Sequence, residues 1–481
     1  MQLGVADQSQ TQSLPDGYKW RALSATSLGS LSATLNSGTL IIALPVIMKQ
    51  LHTSLESILW VVMVYMLVSS AAVVNVGRLG DMFGRRKLYN LGFAIFTVTA
   101  LLCGLASTAG LLIFYRVLQG IGGALMMANS TALVTDAFSG AERGRALGIN
   151  AMVAAVGQAV GPVLGGWLTN LGVRWVFWYN VPLGIIGTWV AITQLREVGT
   201  LAKDVKFDWT GTALFLVAIV SMLTVLSFGG IYGWGSVTIL SLIVIFVISL
   251  LAFIAVERKV SDPVIDINLF RIPAFAIGNA TQFINSLVRM AVMFLLIFYL
   301  QGARGLDAVM AGLLVAPVAV GMLITAPVAG WMADRVGNKV LSPLGLFLSG
   351  IGCLGLLTVG AHSSYVGLCV WQFIIGLGSG IFSSPNTSAV MGAVPNSKRG
   401  VAAGTRMMLA NLGMVIAIAL TLIIVTNVMP TQIMMSIFAG LEVDPSTIAL
   451  GGFIHGLQVS FATCAALSLL AGAVSVRLKS A

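Results

Sequence analysis

Charged residues are scarce in this sequence, and their scarcity excludes a soluble protein at the outset. Asp, Glu, Lys and Arg together make up 9% of the 481 residues, whereas 58% of the residues are hydrophobic. A soluble domain carries roughly 25% charged residues. This composition, with a mean hydropathy of +0.97, predicts an all-α polytopic membrane protein.

Cysteine and histidine are also few, and they form no reactive cluster. The four cysteines lie apart inside apolar runs without a C-x-x-C pair, and the three histidines are scattered. Neither a disulfide framework nor a metal site is therefore expected. The sequence contains no phosphate-binding or nucleophile pattern either, so we expect neither an enzyme nor a bound cofactor.

The excess of positive charge does not indicate nucleic-acid binding. The net charge is +10, but the cations sit in short loops between apolar runs rather than along a basic stripe with interleaved aromatic residues. Residues 1–18 are polar and lack the pattern of a signal peptide. With the N-terminus inside, most of the 26 Lys and Arg residues fall on the cytoplasmic side. The positive-inside rule then predicts a multi-pass protein of the cell membrane with both termini in the cytoplasm.

Apolar runs long enough to cross a membrane occur fourteen times along the chain. We refer to them as spans 1 to 14. They lie near residues 24–48, 57–76, 88–106, 111–134, 145–168, 175–194, 210–229, 237–256, 273–300, 307–332, 340–360, 364–391, 401–427 and 454–476. The outer loop after span 13, residues 428–453, is either an amphipathic hairpin or a passive connector.

The chain also repeats itself. Residues 115–122 in span 4 match residues 371–378 in span 12, and the same offset carries Arg143-Gly144 onto Arg399-Gly400. The repeat predicts two six-helix bundles that flank an extra pair of helices, with a site between the bundles. The predicted units are a tail (1–23), a first bundle (24–194), a linker with two further helices (195–272), a second bundle (273–476) and a tail (477–481).

The loop between spans 2 and 3 is short and rich in glycine and arginine. Residues 77–87 read GRLGDMFGRRK, and residues 330–339 hold a weaker copy. A lone carboxylate among cations, Asp81, is expected to have a fixed partner such as a helix N-terminus. We expect Asp81, with Arg85 nearby, to engage a helix end of the opposite half. Asp334 is its counterpart in the second copy. An ordinary positive-inside turn is the alternative.

Span 5 carries small residues at helical spacing. Gly157, Gly161 and Gly165 recur every fourth position, and Pro162 lies beside them. Such a face lets another backbone approach closely, and the proline weakens the hydrogen-bond ladder and permits bending. We expect Gly157, Gly161 and Pro162 to take part in gating, with packing alone as the alternative.

Two arginines within spans are candidates for contact with a cargo. Arg116 lies about 7 Å inside the outer end of span 4, near Gln119. It either reaches the interface by snorkelling or takes part in coupling or substrate contact. Arg289 lies about 24 Å inside span 9, where snorkelling is difficult. An unpaired arginine that faced lipid there would cost at least ~2.5–3.5 kcal/mol.

Arg289 ends a polar stripe, and we expect this stripe to face a central cavity. The alternative is that neighbouring carbonyls satisfy Arg289 without a substrate role. Span 1 carries a similar stripe, and the two are predicted to confront one another across the pore. The stripe of span 9 comprises Asn279, Gln282, Ser286 and Arg289, with Asn285 adjacent, and that of span 1 comprises Ser32, Asn36 and Thr39.

Together these motifs resemble the major facilitator superfamily. Its signature Gly-x-x-x-Asp-x-x-Gly-Arg-Arg/Lys matches the loop at 77–87, and span 5 resembles the Gly-x-x-x-Gly-Pro-x-x-Gly-Gly motif of its antiporters. From about residue 30 to 476 the order of motifs resembles the fourteen-helix drug:proton antiporter family. The resemblance implies export of amphipathic compounds by alternating access, driven by inward proton flow. In such a cycle we expect Asp81 to lock the inward-closed state through its contact with the opposite half.

One departure from that family changes the expected cargo. The family usually has an acidic residue early in helix 1, where this chain has Asn36, which cannot titrate. No Asp or Glu lies deep in another span, whereas three arginines lie within spans. We therefore expect neutral or anionic amphiphiles, with Arg289 in contact with the cargo and Gln282, Asn285 and Asn36 forming hydrogen bonds to it.

The alternative function is a facilitator or importer of a small polar or anionic solute, without proton coupling through a helix-1 carboxylate. For the main interpretation the expected partners are membrane lipid, an amphipathic small molecule and protons. We expect a monomer and no nucleic acid.

Overall fold

The structure is a computed structural model that describes residues 17–138, 140–197, 208–260, 265–395, 398–428 and 448–477. Within these ranges the chain is helical and forms no strand. Fourteen helical segments there are long and apolar enough to cross a membrane. The prediction of an all-α protein with fourteen spans is therefore confirmed.

The first six spans form helices α1 to α6. Two of these helices have an N-cap side chain. The hydroxyl of Ser54 accepts a hydrogen bond from the backbone N–H of Ser57, and that of Thr108 accepts one from the backbone N–H of Leu111. Helix α1 starts before the predicted position 24. The bounds are α1 (Tyr18–Gln50), α2 (Leu55–Phe83), α3 (Arg85–Leu105), α4 (Ala109–Ala137), α5 (Gly140–Leu171) and α6, which joins Trp175–Trp178 to Asn180–Gln194.

The extra pair and the last six spans follow. Helix α10 is interrupted at Ala316, directly before Pro317, which has no N–H to donate. The bounds are α7 (Trp209–Tyr232), α8 (Val237–Glu257), α9 (Pro273–Phe298, extended by Tyr299–Ala303), α10 (Ala308–Val315 and Pro317–Val336), α11 (Asn338–Gly355), α12 (Tyr365–Gly392), α13 (Arg399–Val428) and α14 (Ile448–Val476). The predictions for the outer loop fall mostly on residues 429–447, which lie outside the described residues.

Helix packing repeats from one half to the other. Helix α1 packs on α5 as α9 packs on α13, and α2 packs on α4 as α10 packs on α12. The halves meet where α5 contacts α10 and where α2 contacts α13, which are again corresponding pairs. Helices α7 and α8 pack together, and α7 also lies against α2 and α13. This is the predicted plan of two six-helix bundles with two additional helices.

Candidate functional site

A cavity lies between the two halves, lined by α1, α2, α5, α9, α10 and α13. It encloses about 70 Å³, whereas sites for drug-sized molecules enclose roughly 300–1,000 Å³. The two halves must therefore separate further before a molecule of that size can enter.

The wall of this cavity is mainly apolar and unusually rich in methionine. Methionine is flexible and polarizable, so a wall of this kind adapts to cargoes of different shapes. None of the lining residues is acidic. The methionines are Met66, Met290, Met293, Met322 and Met414, and the polar members are Thr34, Ser37, Gln158 and Arg289.

Arg289 is the one cation among these lining residues. Its Nη1 donates to Oε1 of Gln158 on α5, and it lies 3.5 Å from Sδ of Met322 on α10. Since Gln158 belongs to the first half, this hydrogen bond joins the two halves across the cavity. Arg289 is thus held by a neutral amide, and no carboxylate of the described residues forms an ion pair with it.

The lining positions correspond in pairs across the two halves. A Cβ on Gly413 of α13 would lie 2.5 Å from the carbonyl oxygen of Phe283 on α9, and one on Gly157 of α5 would lie 3.3 Å from that of Leu31 on α1. This aligns α1 with α9. The resulting pairs, each with both members in the lining, are Ser37 with Arg289, Gly38 with Met290, Ile41 with Met293, and Gln158 with Met414.

Gln282 and Asn285, the next polar residues of the stripe on α9, are bonded to neighbouring helices and are not among the residues that line the cavity. Oε1 of Gln282 accepts from Arg406 of α13 at 2.8 Å, and Oδ1 of Asn285 accepts from Ser379 of α12 at 3.0 Å. The prediction that the whole stripe lines this cavity is therefore wrong: Asn285 turns to α12, and Gln282 lies on the same face as Arg289 but about two turns from it, outside the lining. A helix inside a bundle has several neighbours, and here α12 and α13 satisfy those amides.

The stripe on α1 also points elsewhere. Asn36 Oδ1 accepts from Asn180 Nδ2 at 3.3 Å, and the hydroxyls of Thr39 and Tyr179 are 3.2 Å apart. These partners lie on or next to α6, inside the first half. The prediction that the two stripes confront one another is wrong, because α1 presents its opposite face, with Ser37, to the cavity.

Arg116 is enclosed in the first half and does not snorkel. It is 1% exposed. Its Nε donates to the carbonyl of Val61 at 3.0 Å, and its Nη1 donates to Gln119 Oε1 at 2.7 Å. Its guanidinium also lies 4.2 Å from the ring centroid of Tyr65, within reach of a cation–π interaction. Neither Arg116 nor Gln119 lines the cavity between the halves.

The glycines of α5 serve its contact with α1. A Cβ on Gly161 would lie 2.9 Å from Cα of Gly38, closer than side chains allow, and Gly157 sits against Thr34. Pro162 lies toward the other half: a Cβ on Gly312 of α10 would be 2.5 Å from its carbonyl oxygen. Helix α5 thus touches both α1 and the opposite half, and its gating role stays a prediction.

The loop between α2 and α3 is held by acidic residues of the first half. Arg85 Nη1 donates to both carboxylate oxygens of Asp136 at 2.7 and 2.6 Å. Glu197, which follows α6, accepts from the backbone N–H groups of Arg85 and Arg86 at 2.8 and 3.1 Å. Glu197 therefore occupies the helix N-terminus that suits a carboxylate. The side chains of Asp81 and Asp334 lie outside the described residues.

Sequence reasoning missed Glu197. The only available signal was its place at the end of span 6, on the same predicted side of the membrane as the loop after span 2. Nothing local shows that the two ends meet.

Comparison with known proteins identifies the fold. A family model described as Major Facilitator Superfamily matches residues 26–281 and 278–480. The chain belongs to the major facilitator superfamily. The resemblance inferred from the motifs is thereby confirmed, and the protein is a multi-pass membrane transporter rather than an enzyme.

Superfamily members similar to this chain are named for different substrates. The chain is 34% identical over 383 residues to the riboflavin transporter RibZ of Clostridioides difficile, covering 79% of this chain and 83% of that one. It is 31% identical over 373 residues to the multidrug transporter protein MdtP of Bacillus subtilis, covering 77% and 69%. It is 32% identical over 397 residues to an uncharacterized transporter, YebQ, of Escherichia coli, covering 82% and 86%.

A solved structure shares the superfamily fold at low sequence identity. It is a bacterial homolog of the human lysosomal transporter Spinster in an inward-facing, unoccupied conformation. The TM-score is 0.66 at 15% identity, with 96% of this chain and 97% of that chain covered.

Proposed function

We propose that this transporter exports neutral or anionic amphipathic compounds by alternating access, coupled to inward movement of protons. The observation that carries the proposal is the lining of the central cavity. It combines five methionines with one arginine and contains no carboxylate. An adaptable apolar wall with a single fixed cation suits a cargo with an apolar body and a neutral or acidic head.

The partner of Arg289 explains why a cationic cargo is disfavoured. Gln158 accepts a hydrogen bond from the guanidinium without neutralising it. In a poorly solvated cavity, an uncompensated charge acts more strongly than it does in water. An acidic head group that displaced Gln158 would gain charge-assisted hydrogen bonds, which are about twice as strong as neutral ones. A cationic head group would be repelled.

The driving force is the second part of the proposal. Proton coupling is supported by the resemblance of α5 to the motif of the superfamily's antiporters and by the order of motifs from about residue 30 to 476, which resembles the drug:proton antiporter family. Since Asn36 cannot titrate and no residue of the cavity lining is acidic, we expect the proton to be carried by a group outside the lining. An inside-negative membrane potential would favour export of an anion by about 2.3 kcal/mol per charge and 100 mV.

The gating machinery in this proposal lies around α5 and the loops that join α2 to α3 and α10 to α11. Gly157, Gly161 and Pro162 let α5 shift against its neighbours, while Asp81 and Asp334 act at the two loops with Arg85. The transporter works in the cell membrane as a monomer with both termini in the cytoplasm.

A facilitator or importer of a small polar or anionic solute is the second candidate. The small volume of the cavity favours it, as does a relative named for one compound, riboflavin. Exchange across liposomes that is independent of any imposed gradient supports this candidate. Uptake that requires a pH gradient or a voltage supports the exporter.

Reconstitution tests the proposal directly. Purified protein in liposomes is given matched anionic, neutral and cationic cargoes while pH and voltage gradients are imposed separately. Arg289→Ala is expected to lower anion transport about tenfold or more, because a hydrogen bond to a charged group contributes about 1.5–3 kcal/mol. Neutral cargo should change less than about twofold. Unchanged anion transport by Arg289→Ala would defeat the proposed cargo chemistry.

A further inference from the structure

The three arginines inside the spans share one kind of partner. In each case the guanidinium donates to the side-chain oxygen of a glutamine. No acidic residue in the described ranges is bonded to any of the three. The pairs are Arg116 with Gln119 at 2.7 Å, Arg406 with Gln282 at 2.8 Å, and Arg289 with Gln158.

Two of these pairs lie along the same helix. Gln282 and Arg289 both belong to α9 and are seven positions apart, which is about two turns and ~10 Å along one face. The pair of Arg116 is separate, because Arg116 and Gln119 are 1% and 0% exposed within the first half.

The two pairs on α9 lie at different depths. Arg406 is about seven residues, or ~10 Å, from the start of α13, and Arg289 is about sixteen residues, or ~24 Å, from the start of α9. Both helices start on the side of the membrane that carries the chain termini. A cargo that enters from that side therefore passes the level of Arg406 before it reaches the level of Arg289.

Arg406 has unused hydrogen-bonding capacity. Its guanidinium turns toward α9, and its Nε is buried without a partner. Buried donors of a charged group are normally paired, and leaving one unpaired is costly. An acceptor that enters beside Gln282 would satisfy it.

We infer that Arg406 and Gln282 form a second anion-binding position, which the acidic group of a cargo occupies on its way to Arg289. The inference rests on the proposed export of anionic cargo. Glutamine suits such a position because it holds the guanidinium without cancelling its charge. A carboxylate in its place would be a permanent counter-ion and would compete with the cargo.

The test is an isosteric substitution, Gln282→Glu, assayed in liposomes with three pyrene probes. The probes carry a sulfonate, a hydroxyl or a trimethylammonium group on the same ring system. Transport of the sulfonate is expected to fall at least about tenfold, while transport of the hydroxyl probe stays within about twofold. The matched control is Gln50→Glu, the same change at the exposed end of α1, which should leave all three probes within about twofold.

A merely structural link between α9 and α13 leads to the opposite result. Gln282→Glu would then preserve the link as an ion pair and leave sulfonate transport intact, which overturns the inference. Gln282→Met removes the link without adding charge. We expect it to keep sulfonate transport and to lower the KM for the sulfonate. An equal loss for all three probes, in protein whose thermal unfolding is unchanged, also overturns the inference.

Arg289→Ala, assayed in parallel, separates this inference from the proposed function. If Arg289→Ala loses sulfonate transport while Gln282→Glu keeps it, the second position is refuted and the proposed cargo contact stands. If Gln282→Glu loses it while Arg289→Ala keeps it, the second position is supported and the role proposed for Arg289 fails.

Discussion

Arg116 in the first half and Gln372 in the second occupy corresponding positions on α4 and α12. Arg116 donates its Nε to the carbonyl of Val61 on α2 at 3.0 Å, and Gln372 donates its Nε2 to the carbonyl of Leu314 on α10 at 2.8 Å. The same hydrogen bond thus joins the same pair of helices in each half. It is made by a cation in one half and by a neutral amide in the other.

At the cavity the arginine belongs to the second half, and the corresponding residue of the first half is neutral. Arg289 of the second half corresponds to Ser37 of the first, and Gln158 of the first corresponds to Met414 of the second. The first half therefore buries Arg116 in its interior, whereas the second half places Arg289 in the cavity between the halves. The repeat preserves helix contacts, while the charges differ between the halves. The asymmetric positions are accordingly where selectivity for cargo is to be sought.

The loops differ in the same manner. Gly84 and Gly337 both have positive φ, at +100° and +85°, a backbone conformation that favours glycine. Each of them separates two consecutive spans. Arg85 follows the first and pairs with Asp136, whereas neutral Asn338 follows the second. Among the side chains that the structure describes at these two loops, the ionic network is therefore found in the first half.

The largest effect should come from truncating the sealed arginine. Arg116→Ala is expected to lower the free energy of unfolding by about 3 kcal/mol, because it leaves a void and strips Val61 and Gln119 of their donor. The matched change Gln372→Ala should cost about 1 kcal/mol, since one neutral hydrogen bond is lost. Thermal unfolding in detergent measures both. Equal costs would break the comparison.

The close approach of α1 and α5 gives the next effect. Gly161→Ala is expected to cost about 2 kcal/mol, because its Cβ would overlap the backbone at Gly38. The corresponding position on α13 is Ala417, which already accommodates a Cβ, and Ala417→Gly should cost about 1 kcal/mol. Tolerance of Gly161→Ala at full stability would show that the two contacts do not differ.

Moving the cavity charge to the other half sharpens the comparison. Arg289→Ser should lower the rate of anion transport about tenfold. The double variant Arg289→Ser/Ser37→Arg should transport anions about threefold faster than Arg289→Ser alone. The recovery is expected to be partial, because Met414 replaces Gln158 as the nearest corresponding partner. Anion uptake into liposomes measures both variants. Full loss in the double variant would show that the cation works only on α9.

The smallest effect concerns the loop network of the first half. Glu197→Gln is expected to cost about 0.5–1 kcal/mol, because a charged acceptor at the N-terminus of α3 becomes neutral. Glu142→Gln serves as the control: its pair with Lys19 is exposed, at 49% and 38%, and exposed pairs contribute little. Chemical unfolding compares the two. A larger cost for Glu142→Gln would place the important contact elsewhere.

The sequence by itself determined the number and length of the spans, their repetition and the chemistry available to them. Apolar runs fix which segments can cross a membrane, and helical periodicity fixes which residues share a face. The depth of Arg289 and the replacement of an acid by Asn36 could likewise be read directly from the chain.

Only the tertiary structure decided which neighbour each polar face meets. It turned Asn36 toward Asn180, Gln282 toward Arg406 and Arg116 toward Val61. The rotation of a helix about its axis is set by contacts with several helices that are distant in sequence. No local pattern records those contacts, so the cavity lining had to be seen in three dimensions.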